Sequence, residues 1–132
     1  MTHELINPDE LPPPIGYAHA VRPADGRTIY LGGQAGIRKD GTVAEGIVEQ
    51  FDVAAANVVT ALRAAGGAPE HLVSIQIFVT DVAAYTAAAR DIGAVYRTHF
   101  GKHYPAMALL GTTRLFEPAA MVELVCVAVV PE

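Results

Sequence analysis

Charge, cysteine and serine are all scarce in this chain. Of its 132 residues only 17% are charged, against about 25% in an ordinary globular domain. The shortfall falls on the basic side: nine Lys and Arg face fourteen Asp and Glu, for a net charge of -5. The basic residues are also scattered, so a nucleic-acid partner is not expected. The single cysteine, Cys126, can form neither an internal disulfide nor a cysteine-based zinc site, which fits a reducing cytoplasm. Ser74 is the one serine and sits mid-strand by pattern, so no Ser/His/Asp set can be singled out. No apolar run approaches the roughly 18 residues of a membrane span, and no membrane partner is expected. The opening Met1-Thr2-His3-Glu4 lacks a basic flank and an apolar core, so no signal peptide is expected. Nothing has the form of a phosphate loop.

What the chain has instead is apolar residues, 52% of the total. That is too many for a disordered chain, and the length fits one domain over residues 1–132. A chain of this size buries roughly two-thirds of its unfolded surface. With so few charges, it has more apolar surface than one copy needs to bury.

The pattern along the chain is that of mixed α and β structure. Asn7 to Pro14 contains three consecutive prolines and reads as an extended arm. Two β-like runs follow, Tyr17 to Val21 and Thr28 to Gln34, with the turn signal Ala24-Asp25-Gly26 between them. Lys39-Asp40-Gly41 marks another turn. From Glu45 to Ala65, Ile47, Phe51, Ala54, Val58 and Leu62 recur at helical spacing. Glu45 and Glu49 favour its positive end, and Gly66-Gly67 with Pro69 closes it. His71 to Thr80 alternates as a strand, with Val73, Ile75, Ile77 and Val79 on one face. Val82 to Phe100 reads as a second helix, with Tyr85, Ile92 and Tyr96 on its inner stripe and Gly101 as C-cap. Pro105 to Thr113 and Met121 to Val130 are the last strands. The predicted order is β-β-α-β-α-β-β, an α+β sheet with both helices on one face. The other face is then apolar and uncovered, and association of copies would bury it.

Several residues are candidates for chemistry. Glu123 is the only charge in the apolar run from Met121 to Val130. A carboxylate there must be paired, hydrogen-bonded, protonated or at a wet cleft, which makes it a candidate acid or base. Alternatively it lies near the strand start and faces solvent. Tyr17 and His19 are two apart on one strand and could line a pocket with a hydroxyl and an imidazole, or simply face water. His99, His103 and Tyr104 cluster at the end of the second helix, but no carboxylate completes a metal set, and no metal or other cofactor is expected. Gly32-Gly33-Gln34 lacks dinucleotide-loop spacing and reads as a bulge or a close backbone approach. Cys126 reads as a small core residue.

An ordered series of short pieces resembles the RidA (YjgF) family, whose members also carry the older name endoribonuclease L-PSP. The pieces are Asn7-Pro8, Gly16 to Val21, Gly33-Gln34, Gln50, Asn57-Val58 and Ala65-Gly66. They continue with Val79-Thr80-Asp81, Tyr96, Phe100, Pro105-Ala106 and Val122-Glu123-Leu124. The resemblance implies a single chorismate-mutase-like domain, a homotrimer with a barrel-like core, and small-molecule clefts between subunits. Active members hydrolyse imines or enamines such as 2-aminoacrylate, and they hold the substrate carboxylate with an arginine directly after Pro-Ala.

Here that position is Met107, which has no charge. The family's usual cysteine two residues on is Leu109, its serine before Gly-Gln is Gly32, and its asparagine three before Tyr96 is Gly93. Tyr17 and Glu123 match the family, Glu123 at the position that orients the attacking water, and His19 replaces a usual glutamine. The resemblance therefore implies catalysis by Glu123, Tyr17 and His19, with Gly32, Gly33, Gly93, Met107 and Leu109 lining the ligand site. Arg114 is a candidate substitute cation. Two functions are expected to compete: hydrolysis of a small imine, enamine or related electrophile that lacks a carboxylate, 2-aminoacrylate not being expected, and binding of a small apolar or aromatic metabolite without chemistry. Ribonuclease activity is disfavoured by the acidic balance and the lack of a basic groove.

Overall fold

The structure, a computed structural model, describes residues 2–132; Met1, the first residue of the opening segment read above, lies outside them. Four short strands come first: β1 (Glu4–Ile6), β2 (Ala20–Arg22), β3 (Gly26–Tyr30) and β4 (Gln34–Ala35). Helix α1 (Ile47–Ala64) and a short 3-10 turn (Pro69–His71) lead to β5 (Leu72–Val79). Helices α2 (Val82–Ala87) and α3 (Ala89–Phe100) lead to β6 (Ala106–Gly111) and β7 (Val122–Pro131). The main sheet runs β3-β7-β5-β6, with β4 also on β7, and β1 pairs with β2 separately. Among the described strands, β5 and β6 are the one parallel pair, as the intervening helical crossover allows.

The α+β class and the helices on one side of the sheet agree with the sequence. Helix α1 forms where the apolar stripe was read: Phe51, Ala54, Val58 and Leu62 are fully buried. It ends as expected, because Gly66 adopts φ 90°, a left-handed value that favours glycine. Fully buried Ile75, Val122 and Leu124 on β5 and β7 meet α1 and the inner side of α3, where Ile92 and Phe100 join the same core. Each such side chain contributes about 1.5–3 kcal/mol through burial.

Four boundaries differ from the sequence reading. Tyr17 and His19 lie before β2 rather than in it; the chain there is held by a bridge from Ala18 to Ala106 and by Ala18 N–H donating to Pro105 O at 3.0 Å. The run Thr28 to Gln34 breaks into β3 and β4 around Gly32-Gly33. The second helix is two helices meeting at Ala88, with Asp81 capping the first through its Oδ1, 3.0 Å from Ala84 N. On β5 a bulge between Leu72 and Ser74 takes Val73 out of the inward row, and Leu72 is buried in its place.

Two buried polar side chains tie distant segments together. Gln50 Nε2 donates to Ala44 O and Ala119 O at 3.1 and 3.0 Å, and its Oε1 accepts from Met121 N at 2.7 Å. His3 Nδ1 accepts from Ala24 N at 3.1 Å, which leaves the ring proton on Nε2. That nitrogen donates to Val129 O at 2.9 Å and His71 O at 3.2 Å. Among the described residues no buried side-chain nitrogen or oxygen lacks a partner, and no helix is long and apolar enough to cross a membrane.

The far side of the sheet carries no layer in one chain. Glu123, Val125 and Val127 alternate with the buried residues of β7 and are only half-buried. On β5 Phe78 is likewise half-buried and Gln76 is exposed, and Tyr30 on the flanking β3 is 82% exposed. This is the uncovered apolar face that the composition implied.

Candidate functional site

A cleft of about 680 Å³ opens on the helix side of the sheet, along the β6 edge. That volume lies in the ordinary range for small-molecule sites, about 300–1,000 Å³. Its floor is β6. Met107 and Leu109 stand in register with Ile75 and Ile77, so their side chains share the helix-facing side with those two. Its walls come from α3 and from residues 15–17, and they bring in Tyr17, Gly93 and Arg97.

Aromatic rings dominate the interior. Tyr96 stacks on Tyr104 with centroids 5.3 Å apart and planes 10° from parallel, and both line the cleft with Tyr85. Tyr96 Oη donates to His103 O at 2.6 Å. Burial pushes the Tyr96 phenol far above its ordinary range, and burial also raises Tyr85. These two phenols therefore keep their protons at neutral pH and act as walls. Tyr17, half-buried, lines the same cleft from the segment before β2.

The candidate residues separate into three places. Tyr17, Gly93, Met107 and Leu109 share the cleft. Glu123 is on the opposite face of the sheet, in register with Phe78 and with Ala35 of β4. There it lies against Gly33, where a Cβ would collide with its Oε2; the glycine pair breaks the strand to admit this carboxylate. A Cβ at Gly32 would meet nothing within 4 Å, so this position borders open space beside Glu123. Within one chain the sheet thus stands between the carboxylate and the cleft.

His19 occupies the third place. Its Nε2 donates to Pro12 O at 2.7 Å and its backbone N–H to Asn7 Oδ1 at 2.9 Å. Its ring meets Tyr17 edge-on at 5.3 Å. In this arrangement His19 clasps the proline arm and supports Tyr17 from behind.

Arg114 does not reach the cleft: its Nε and Nη2 donate to Leu115 O and Phe116 O, both at 3.1 Å, folding its own loop. The cation that does line the cleft is Arg97, which the sequence reading passed over. Its cue is the four-residue step from Gly93, which puts both on one helix face. His99 and His103 are engaged separately, with Asp52 at 2.6 Å and with Leu72 O at 2.7 Å. No three His, Cys, Asp or Glu among the described residues converge on a metal site. Cys126 is buried, and burial pushes its thiol up to about 12, which makes it inert as a nucleophile.

The sheet and its crossover helices make an α+β protein with a cleft on one face of the sheet and a lone carboxylate on the other, as the resemblance to the Rid proteins implies. Comparison with known proteins agrees. The family model described as endoribonuclease L-PSP matches residues 8–130, and the chain belongs to that family, which includes the Rid and YjgF proteins. It is 31% identical over 115 residues to the protein mmf2, mitochondrial, of Schizosaccharomyces pombe, covering 85% of this chain and 86% of that one. Among solved structures, the Rid-family protein YyfB of Yersinia pestis superposes with a TM-score of 0.86 at 27% identity, covering 98% of this chain and all of that one (100%). RidA from an Antarctic Psychrobacter gives 0.70 at 25% identity over 96% of this chain and 99% of that one.

Proposed function

We propose that the chain forms homotrimers in which the cleft of one copy meets the Glu123 face of the next, and that the shared site hydrolyses a small imine or enamine. One observation carries this. The family's two matched polar residues, Tyr17 and Glu123, lie on opposite faces of one sheet, and only a second copy can bring them to one ligand. The apolar far face supplies the surface for that association.

In this scheme Glu123 orients and deprotonates a water that attacks the C=N carbon. Tyr17 relays a proton to nitrogen, and ammonia leaves as the carbonyl forms. One imine and one water thus give one carbonyl compound and one ammonia, with no change of oxidation state. Met107 offers no clamp at the β6 edge, so 2-aminoacrylate is not the favoured substrate. Met107 also favours a second reading, in which the cleft holds an apolar metabolite and releases it unchanged. The domain spans 1–132, needs no cofactor and does not engage nucleic acid or membranes. We place it in the cytoplasm; the mitochondrial name of its yeast relative sets the alternative, and a lone buried thiol is suited to either reducing compartment.

Ammonia release from a panel of imines, with wild type and Glu123→Gln, tests the scheme. A fall of about 10²–10⁴-fold in the variant is expected for loss of a general base. Equal rates would remove Glu123 from the chemistry, and a ligand returned unchanged by wild type would establish the binding role.

A further inference from the structure

Arg97 is a cation without a counter-charge among the described residues. It lies in the last turn of α3, where the helix dipole favours positive charge. Among the described residues the ion-paired arginines are Arg22 and Arg38, bound to Glu4 and Glu49. Arg114 is taken by carbonyls of its own loop, whereas the guanidinium groups of Arg27, Arg63, Arg90 and Arg97 donate to no acceptor among those residues, and of these four Arg97 lines the cleft. No Asp or Glu lines the cleft that it enters.

Gly93 is the companion observation. Glycine in a helix interior destabilises the helix relative to alanine, and this one does not end α3 or adopt a positive φ. A Cβ built on it would stand 3.3 Å from Arg97 Nη1, inside comfortable contact. The guanidinium therefore folds back one turn along α3, as side chains on a helix incline to do, into the space that a side chain at 93 would fill.

We infer that Arg97 is the anion-recognising residue of the cleft, with Gly93 making its room, and that the ligand is a carboxylate carrying a flat apolar body. The guanidinium fork matches a carboxylate with two parallel hydrogen bonds. The stacked Tyr96 and Tyr104, with the polarizable Met107 thioether, suit a planar group. Holding the acid from the helix wall, rather than from the β6 edge, leaves the Met107 and Leu109 side free for that body. The inference rests on the cleft being a ligand site, as proposed above, and names the class of molecule it takes.

The test uses phenylacetate and its uncharged analogue phenylacetamide, titrated by calorimetry into the full chain. Wild type is expected to bind the acid at least roughly tenfold more tightly than the amide, as a charge-assisted hydrogen bond allows. Arg97→Gln should erase the preference by weakening the acid far more than the amide, and Arg97→Lys should keep part of it. Gly93→Val should weaken it with Arg97 still present. Arg97 is exposed, so its variants keep the fold. Equal binding of both probes by wild type, or a preference that survives in Arg97→Gln, would overturn the assignment while leaving the cleft intact as a ligand site. Binding of neither probe would overturn both. A preference emerging only in Glu123→Gln would make Arg97 the partner of that carboxylate in a second copy, and would also overturn it.

Discussion

The two faces of the main sheet are built from the same strands and differ in almost everything else. On the helix side, Ile75, Val122 and Leu124 are fully buried, and Cys126 nearly so. On the far side, Gln76, Phe78, Glu123 and Val125 alternate with them and stay partly open. One face is a finished core whose edge opens into a cleft. The other is a surface whose apolar residues and lone carboxylate make sense only against something else. Stability should therefore reside on the first face and assembly on the second.

The sharpest way to break that contrast is to damage the core. Phe51→Ala, at a fully buried position on α1, should cost about 3–5 kcal/mol, read from urea denaturation; a loss near zero would contradict the division. Alkaline titration probes the same face. Cys126 titrates near its ordinary 9.0 when unfolded and at about 12 when folded. The folded chain then holds the proton longer, so its contribution is intact below about pH 9 and is lost as the pH rises toward 12. The loss should be on the order of a few kcal/mol, and Cys126→Ala should flatten this part of the stability profile.

Next in size, Gln50→Ala would leave the Met121 N–H and the carbonyls of Ala44 and Ala119 without their partner, for about 1–3 kcal/mol. The smallest effect on the single chain belongs to the far face. Val125→Asp should change its stability by about 1 kcal/mol or less, yet light scattering should show the proposed trimer falling to monomers. A wild type that is itself monomeric would sink the shared-cleft scheme.

The helix face was largely legible in the sequence, because a periodic apolar stripe such as Ile47 to Leu62 depends on local spacing alone. The far face was legible as a surplus of apolar residues without a cover. What escaped depended on partners distant in sequence. The break at Gly32-Gly33 follows from a carboxylate some ninety positions on, and the displacement of Val73 from a bulge that pairing with β7 imposes. Tyr17 and His19 left the strand because the proline arm and Pro105 hold them by side-chain and backbone bonds that no alternation pattern encodes. Arg97 escaped because a cation in a helix's last turn ordinarily signals only a favourable dipole contact; its place at the cleft is set by the crossing of α3 over the sheet edge.

His3 draws the first strand region onto the last strand, with its ring bonded to Val129 O across a separation of 126 residues. During synthesis, the carbonyl that completes this bond emerges from the ribosome 126 residues after His3. Earlier segments can form helix α1 and the small β1–β2 pair, but the central strand β7, which joins β3, β4 and β5, is also missing until then. The order of translation therefore delays completion of the sheet until β7 has emerged, and leaves the apolar strands β3 and β5 open to their neighbours during that interval.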